Sequence, residues 1–397
     1  MNEKPVALLL TPVLPLPRGS GRALRAWDWL QALARDHRVQ LVVPGSVDCP
    51  AIPRDYPAER IWPLGQATVP TRGFYRVFGL LLPVLVRCSR RFVTDWQQPV
   101  SMAALDDLAS QLAAVPVRRI VVFRLYLHDI GVALSRRFPA AALDLDMDDL
   151  ESRTRRSVAA AAWRTGRYRE ALRGWSAALQ YRLIECALAN PYRTLYLAAD
   201  EDCRRLARSA TAAVACRPNR IALPEAFAPA PAMGELGLLF VGTLDYPPNA
   251  EAARDLAEKL VPELAARSSR PWRLRIVGRH ASPCLRRLLE SVPQIEFLAD
   301  VDDLADCYAA THIVLVPLRA GGGTKFKTLE GFAHRRPVVS SRHGVRGLDV
   351  IPGEHFLPAE TAAEFTTAIL LLASRPEMAE RVAAAGWALC RRRYRTP

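Results

Sequence analysis

Continuous apolar segments alternate with amphipathic helical patterns along the second half of the chain. The apolar segments are LLFVG (238–242), RLRIVG (273–278), IEFL (295–298), IVLVPL (313–318) and PVVSS (337–341). Helical patterns begin at Asn249, Ser282, Asp302 and Thr324. Strands without polar alternation are typical of parallel sheets that are buried on both faces. This half is therefore predicted to form a doubly wound α/β domain.

The first half shows the same alternation with longer interruptions. Strands are predicted at 6–10, 38–43, 120–123, 142–145 and 194–197, and helices over 22–34 and within 153–189. A proline- and alanine-rich stretch, LPEAFAPAPAM (223–233), separates the two halves. A chain of 397 residues is also longer than a single hydrophobic core usually supports. Two domains are predicted, over residues 1–232 and 233–397.

Composition narrows the class of protein. Half of the residues are hydrophobic and 24% are charged, as in folded chains. The longest apolar stretch, 79–86, contains a proline and is shorter than the ~20 residues that cross a bilayer. The N-terminus lacks a signal-peptide pattern, and the eight cysteines form no CxxC pair that would indicate zinc or a disulfide framework. We expect a cytoplasmic protein.

Most of the formal net charge of +14 lies in the first half, where residues 1–230 hold 32 Lys and Arg against 21 Asp and Glu. Nucleic acid, an anionic membrane surface or an arginine-rich genome would each account for this excess. No aromatic-basic module for nucleic acid is recognisable, so no nucleic-acid partner is expected. Segment 74–92 (FYRVFGLLLPVLVRCSRRF) interleaves apolar residues with arginines. It is interpreted either as a peripheral contact with an anionic membrane or as a helix packed on the first domain.

The loop after IVLVPL has the composition of a phosphate-binding loop. Its sequence is RAGGGT (319–324), which contains Gly321, Gly322, Gly323 and Thr324. Consecutive glycines leave amide N–H groups accessible at the start of a helix, where the helix dipole favours an anion. Only four lysines occur in the chain, and two of them, Lys325 and Lys327, follow this loop. A compact ammonium suits a phosphate at close range, so the loop is predicted to bind one.

Glu330 lies three residues after Lys327, so both side chains project from one face of the predicted helix. A carboxylate one turn beyond a phosphate-binding amine can accept hydrogen bonds from the two hydroxyls of a ribose. The alternative is that Lys327 and Glu330 form an ordinary exposed ion pair.

The first half offers weaker candidates. Gly19 and Gly21 follow the first strand and are predicted to approach a diphosphate, although a simple turn is equally compatible. Neither a third glycine nor an acidic residue after the second strand is present, so nicotinamide binding is not expected, and there is no P-loop. Arg124 and His128, at the end of IVVF, are predicted to position an acceptor hydroxyl, whereas the alternative for His128 is a structural role.

Four aspartates lie in the last part of the strand predicted at 142–145 and just after it, namely Asp144, Asp146, Asp148 and Asp149. We interpret them as a solvated strand end and helix cap, with acceptor positioning as the functional alternative. No metal ligand set is predicted.

The sequence resembles the retaining family 4 glycosyltransferases. The strongest similarity runs from Leu238 to about Ala385 and includes FVGTLDYPPN, IVG and LVPLRAGGGTKFKTLEGFAHRRPVVSS. In the first half, FRLYL (123–127), LDLDMDDLES (143–152) and RPN (217–219) are similar with less specificity. The resemblance implies the GT-B fold, in which two Rossmann-like doubly wound domains face each other.

The resemblance also implies the residue roles. Lys327 would contact the donor diphosphate, Glu330 the ribose, and the backbone of Gly322 to Thr324 the phosphates or the sugar. The nucleotide-sugar is then a co-substrate, and neither a cofactor nor a metal is implied. Transfer to a sugar or lipid-linked acceptor with retention of configuration, in bacterial polysaccharide or glycolipid synthesis, is the implied activity, with the protein in the cytoplasm or on the inner face of the membrane.

The chain departs from the family pattern at two places. Gly322 stands where many members have a glutamate that binds sugar hydroxyls, and Thr243 stands where many have an arginine followed by a lysine. Thr243 is therefore assigned to the donor site, and Lys325 or Arg319 would supply the missing charge.

The two halves are predicted to divide the work. The donor site is expected on residues 233–380 and the acceptor site on residues 1–225, facing each other across a cleft. A non-catalytic sugar-nucleotide-binding homologue is the first alternative, since the family glutamate is absent. A basic nucleic-acid-binding protein is the second.

Overall fold

A computed structural model describes residues 4–45, 55–64, 100–187, 191–225, 228–229, 231, 234–301, 303–322 and 325–396. The segment 74–92 and part of the 223–233 stretch therefore lie outside the described residues. The chain divides into two compact units, Met1–Arg217 and Pro218–Pro397. This division precedes the one expected after residue 232, because Ile221 forms a bridge with Arg395 and its N–H donates to the Tyr394 carbonyl at 2.7 Å.

The first unit contains a seven-stranded parallel sheet in the order β3-β2-β1-β4-β5-β6-β7. Its strands are β1 (Val6–Leu10), β2 (Arg38–Pro44), β3 (Ala58–Leu64), β4 (Val117–Phe123), β5 (Ala142–Asp148), β6 (Thr194–Leu197) and β7 (Ala213–Cys216). The helices are α1 (Gly21–Ala34), α2 (Met102–Gln111), α3 (His128–Arg137), α4 (Glu151–Arg164), α5 (Tyr168–Ala187) and α6 (Asp200–Ala207).

The strands that the sequence predicted in this unit are present, and two further strands, β3 and β7, were not predicted. Both lie at the edges of the sheet. β3 has only isolated buried positions and β7 has none, so neither strand has a continuous apolar run. The strand predicted at 142–145 extends to Asp148, because its aspartates are paired inside the fold.

The second unit contains a six-stranded parallel sheet in the order β10-β9-β8-β11-β12-β13. Its strands are β8 (Leu236–Val241), β9 (Trp272–Val277), β10 (Ile295–Leu298), β11 (Ile313–Val316), β12 (Val338–Ser340) and β13 (Leu357–Pro358). The helices are α7 (Pro247–Asp255), α8 (Val261–Arg267), α9 (Pro283–Glu290), α10 (Ala305–Ala309), α11 (Phe326–Ala333), α12 (Ala362–Ser374) and α13 (Pro376–Arg393).

The strand order of this unit reverses between β8 and β11. The chain adds β9 and β10 on one side of β8, then crosses to β11 and adds β12 and β13 on the other side. In open α/β sheets the crevice at such a switch point, beyond the carboxyl ends of the strands, is where ligands bind. The helices that follow these two strands, α7 and α11, both begin at this edge.

Packing fixes the position of α11. Phe332 is fully buried, and a Cβ atom on Gly386 of α13 would lie 2.6 Å from its ring, so α13 crosses α11 at a distance that only glycine permits. At the other end of the helix, Thr328 Oγ1 donates to the Gly344 carbonyl at 2.8 Å. The first turn of α11 is thereby held against the sheet edge.

Within the described ranges, no helix combines the length and the apolar character needed to cross a membrane.

Candidate functional site

The ammonium of Lys327 lies at the switch point of the second sheet. Its Nζ atom donates to Asn249 Oδ1 at 2.6 Å, and Asn249 Nδ2 donates to the Thr243 carbonyl at 2.9 Å. The second bond fixes the orientation of the amide, so that its oxygen faces Lys327. A Cβ atom on Gly242 would lie 2.9 Å from Asn249 Cγ and 3.1 Å from Lys327 Nζ. The end of β8 therefore passes close beneath both side chains because residue 242 is glycine.

Lys327 carries its charge in an unfavourable environment. Its hydrogen-bond acceptor is a neutral amide, and no ion pair among the described residues joins it to a carboxylate. Burial and the nearby charge of Lys325 lower the pKa of Lys327 to about 7. The amino ends of α7 and α11, which favour anions, lie beside it. A bound anion would neutralise the buried ammonium and accept hydrogen bonds from it and from the helix ends.

Glu330 is held separately from Lys327. Its Oε2 atom accepts a hydrogen bond from the Tyr308 hydroxyl at 3.1 Å, and burial raises the pKa of this carboxyl group. The Tyr308 ring in turn stacks on His334 with ring centroids 4.3 Å apart. The alternative of an ordinary Lys327–Glu330 ion pair does not occur, because each side chain has its own neutral partner and both remain partly exposed.

The glycine loop is held by side chains from two other segments. Gly321 adopts a φ of 107°, which favours glycine, and His343 Nε2 lies 2.8 Å from its carbonyl oxygen. The Gly322 N–H donates to the Tyr246 hydroxyl at 3.2 Å. Burial and Lys325 lower the pKa of His343 to about 3, so the ring is neutral and donates to Gly321. Gly323 and Thr324 lie outside the described residues.

Two predicted sources of additional charge have partners within the unit. Lys325 is the residue before α11 and is buried, and its Nζ atom donates to the Gly322 carbonyl at 3.2 Å. Arg319 forms an ion pair with Asp255 at 3.3 Å. The helix begins at Phe326 rather than at the predicted Thr324, because Lys325 has a non-helical backbone (φ −82°, ψ 74°). Both residues stay predictions as donor ligands.

Sequence reasoning missed Asn249, Tyr246, Tyr308 and His343 as parts of this site. The pattern placed a helix start at Asn249 but gave its side chain no role. The 78 residues between Asn249 and Lys327 explain this, since only the adjacency of β8 and β11 brings the two together.

The candidates of the first unit lie at the carboxyl ends of β1 and β4. Gly19 has a φ of 111°, and a Cβ atom there would meet no atom within 4 Å, while Gly21 begins α1. Arg124 is buried with a φ of 90° and forms ion pairs with Asp148 and Asp149, both at 3.1 Å. This guanidinium is thus directed into its own unit.

His128 also has a protein partner. Its Nδ1 atom lies 2.7 Å from the Tyr192 hydroxyl, and burial lowers the pKa of the imidazole to about 4. A neutral imidazole at this position is compatible with either of the roles that the sequence left open. Acceptor positioning by Arg124 and His128 stays a prediction.

The interpretation of the aspartate cluster as a solvated strand end is wrong. Asp146 is fully buried. It accepts two hydrogen bonds of 2.7 Å from Arg25 and a third from the Trp29 indole. Asp144 is also fully buried and pairs with Arg119 and Arg193. Arg25 is 121 residues from Asp146 in sequence, so no local pattern reveals the pair. Among the described residues, no group of His, Cys, Asp and Glu side chains is arranged to hold a metal ion.

Residues 235–375 match the family described as Glycosyl transferases group 1. No curated protein matches the sequence. Gly242, Asn249, Lys327 and Glu330 all lie within the matched region.

Solved structures extend the likeness to the whole chain. Sucrose-phosphate synthase from Thermosynechococcus elongatus is 17% identical, with a TM-score of 0.69 over 99% of this chain and 95% of that one. HepE from Anabaena, in complex with UDP and glucose, is 12% identical with a TM-score of 0.66 over 98% and 96%. The α,α-trehalose 6-phosphate synthase from Burkholderia multivorans is 16% identical with a TM-score of 0.62 over 99% and 94%. The predicted GT-B fold is confirmed.

Proposed function

We propose that the protein is a glycosyltransferase that uses a nucleotide-sugar donor, whose diphosphate binds at the start of α11. The observation that carries the proposal is the Lys327 ammonium, which lies at the sheet switch point and, among the described residues, has only a neutral amide oxygen as its hydrogen-bond partner. The matched glycosyl transferases group 1 domain contains this position, and the GT-B fold supports the same activity.

Each residue of the site has a role in this proposal. Lys327 and the amide groups at the start of α11 stabilise the diphosphate, and Asn249 holds the ammonium in place. Glu330 keeps one oxygen on the Tyr308 hydroxyl and offers its remaining acceptor capacity to the ribose. Gly321 and Gly322, with Gly323 and Thr324, let the loop backbone approach the phosphates or the sugar. Thr243 acts through its carbonyl, which orients Asn249.

Sugar transfer then needs stabilisation of a departing diphosphate. The bond between the anomeric carbon and the diphosphate oxygen breaks, a bond from the acceptor oxygen to that carbon forms, and the nucleoside diphosphate and a proton are released. The negative charge that develops on the leaving oxygen is stabilised by the loop amides and by Lys327, whose ammonium Asn249 orients before the reaction. This stabilisation is the contribution that we assign to the described residues.

The remaining features of the activity follow the family resemblance. We propose retention of configuration, a sugar or lipid-linked acceptor bound by the first unit through Arg124, His128 and the Gly19–Gly21 loop, and a place in polysaccharide or glycolipid synthesis. UDP is the first nucleotide to test, because HepE was solved with UDP and with UDP-glucose.

Gly322 favours a second candidate, a non-catalytic protein that binds a nucleotide-sugar. The resemblance places a sugar-binding glutamate at this position, and glycine offers no side chain to the sugar. Binding without transfer is the property that would identify this candidate.

The proposal is tested with a panel of nucleoside diphosphates and the full chain. A ligand at 100 times its dissociation constant adds about 2.7 kcal/mol to stability, which a thermal-shift assay detects. We expect one diphosphate to stabilise the protein and its sugar ester to be consumed. The Glu330→Gln variant should bind the nucleotide more weakly, whereas Glu290→Gln, which changes an exposed carboxylate at the end of α9, should behave as the parent. A parent protein that no nucleoside diphosphate stabilises would contradict the proposal, and stabilisation without turnover would identify the non-catalytic candidate.

A further inference from the structure

The α4–α5 hairpin of the first unit has an apolar face on its outside. On α5, Tyr168, Leu172, Leu179 and Leu183 are 54%, 59%, 61% and 41% exposed. At about 100° per residue, these four positions and Trp175 fall within about 80° of arc around the helix axis. They form one continuous stripe rather than scattered surface residues.

The opposite side of α5 already packs on the protein. Its buried residues Ala177, Tyr181 and Ile184 lie on the far side of the helix from the stripe, and the buried residues Ala171 and Ala178 lie on the flank between the two. A helix that is apolar on two opposite faces needs a second surface to cover the outer one. The stripe is therefore not part of the core of this unit.

Aromatic residues extend the stripe at the turn of the hairpin. Trp163, which is 46% exposed at the end of α4, contacts Tyr168 and Trp175 with ring centroids 4.7 and 5.3 Å apart. Tryptophan and tyrosine combine an apolar ring with one polar atom, and this combination suits the boundary between lipid and water.

Arginines border the apolar stripe. Residues 163–183 contain Arg164, Arg167, Arg169, Arg173 and Arg182 against a single acidic residue, Glu170. Glu170 is paired with Arg167 at 3.1 Å. Within the described part of the chain, no ion pair joins Arg164, Arg169 or Arg173 to a carboxylate, and all three are exposed. The hairpin thus presents uncompensated positive charge beside exposed leucines.

We propose that the α4–α5 hairpin binds to the surface of an anionic lipid bilayer. Its leucines and aromatic rings would enter the headgroup region, and its arginines would contact the anionic headgroups. The charge of the hairpin decides against a second copy of the chain, because two such faces would bring arginines against arginines. It also decides against nucleic acid, for which a stripe of exposed leucines has no partner. The proposal does not depend on the glycosyltransferase activity.

Vesicle co-sedimentation of the full chain tests the proposal. Vesicles of phosphatidylglycerol and phosphatidylcholine should bind the parent protein more tightly than vesicles of phosphatidylcholine alone. Each arginine near an anionic surface strengthens binding about fivefold, so the double variant Arg169→Ser/Arg173→Ser should bind about 25-fold more weakly. Leu172→Ser/Leu179→Ser should weaken binding by about tenfold or more.

Matched controls remove the same kinds of side chain, arginines and large apolar residues, at positions outside the hairpin. Arg118→Ser/Arg136→Ser removes two exposed arginines of β4 and α3, and Met102→Ser/Ile351→Ser removes two exposed apolar side chains, 48% and 54% accessible. Both controls should bind vesicles as the parent does, and thermal unfolding checks that every variant is folded.

Several outcomes would overturn the proposal. One is equal binding to neutral and anionic vesicles, and another is hairpin variants that bind as tightly as the controls. If the parent protein does not bind vesicles but forms a dimer, and Leu172→Ser/Leu179→Ser dissociates that dimer, the apolar face would be the contact with a second copy of the chain. Binding to single-stranded DNA that the same variants abolish, again without vesicle binding, would assign it to nucleic acid.

Discussion

At the scale of single residues, the protonation of Lys327 is the property that most directly reports on the site. With a pKa of about 7, the side chain is only partly protonated at neutral pH. The unfolded chain, with the ordinary value of 10.5, binds more protons between pH 7 and 10.5, so this group alone makes stability rise with pH across that window. A bound diphosphate reverses the preference, because it stabilises the charged form.

Nucleotide-sugar binding should therefore take up a proton and weaken above pH 7. We expect the dissociation constant to rise by up to about tenfold per pH unit until the pKa of the complex is reached. Calorimetry in buffers of different ionisation enthalpy measures the proton uptake. Lys327→Met should bind the nucleotide-sugar weakly, with a dissociation constant that does not change with pH in this way. If this variant retains the pH dependence of the parent, another group is responsible for the titration. His343 is excluded by its pKa of about 3.

Asn249 provides a second prediction at this scale. Asn249→Ala removes the acceptor that positions the ammonium, and Asn249→Asp places a carboxylate where the Oδ1 atom lies 2.6 Å from Lys327 Nζ. The aspartate competes with the diphosphate for the ammonium, so its affinity for a nucleotide-sugar should fall further than that of the alanine variant, by on the order of tenfold. Titration calorimetry on both variants gives the order. Equal or reversed affinities would show that Asn249 does not act through Lys327.

The residues that sequence reasoning found in the site share a local signal. Lys327 and Glu330 follow a run of glycines in a lysine-poor chain, and all of this information lies within ten residues. Asn249 and Tyr308 act on the same two side chains from the loops and helices that follow other strands, and their roles depend on contacts between distant segments. Such contacts leave no periodicity in a single sequence.

At the scale of secondary-structure elements, the end of β8 must approach α7 and α11 closely. Gly242→Ala places a methyl group 2.9 Å from Asn249 Cγ and 3.1 Å from Lys327 Nζ, so both side chains must shift. We expect nucleotide-sugar affinity to fall by on the order of tenfold or more. Gly131→Ala, where the added atom would lie 2.4 Å from a methyl group of Val122 in the first unit, is the control for overpacking. It should lower the unfolding temperature but leave affinity unchanged; loss of affinity in both variants would indicate general destabilisation.

The end of β5 depends on α1 for its charge balance. Arg25 is 2% exposed and is the bidentate partner of Asp146, while burial raises the pKa of the neighbouring Asp148. Arg25→Leu leaves Asp146 buried without its cation, whereas Asp148 keeps its ion pair with Arg124, and the change should cost about 3–5 kcal/mol in urea unfolding. Arg38→Leu breaks a more exposed pair with Glu59 and should cost about 1 kcal/mol or less. Comparable losses in the two variants would show that the buried network is not specially stabilising.

Elements were predictable from sequence where burial is uniform along a strand. Central strands such as β1 and β11 are apolar at every position and were found at nearly their observed bounds. The edge strands β3 and β7 are partly exposed and carry no such run. The opposite error occurred in β5, where aspartates that suggested solvent are buried beside arginines from α1 and β4.

At the scale of the whole molecule, the chain shares the GT-B fold with proteins to which it is 17% identical or less in the comparisons above. The fold survives this divergence because it rests on the alternation of apolar strands and helices, which many sequences satisfy. The proposed activity depends on a few side chains, and those proposed to bind the donor all lie in the unit Pro218–Pro397. The first unit contributes the proposed lipid-binding hairpin and the proposed acceptor site.

The most direct test of the central claim is calorimetric titration of a nucleotide-sugar or nucleoside diphosphate into the parent protein, Lys327→Ala and Lys259→Ala. Lys259 is the matched control, because it is another lysine of the same unit, is exposed, and pairs with Asp255. A charge-assisted hydrogen bond contributes about 1.5–3 kcal/mol, so we expect Lys327→Ala to bind about 10- to 100-fold more weakly than the parent, and Lys259→Ala to bind as the parent does. Equal affinities for all three proteins would show that the diphosphate does not bind at the start of α11.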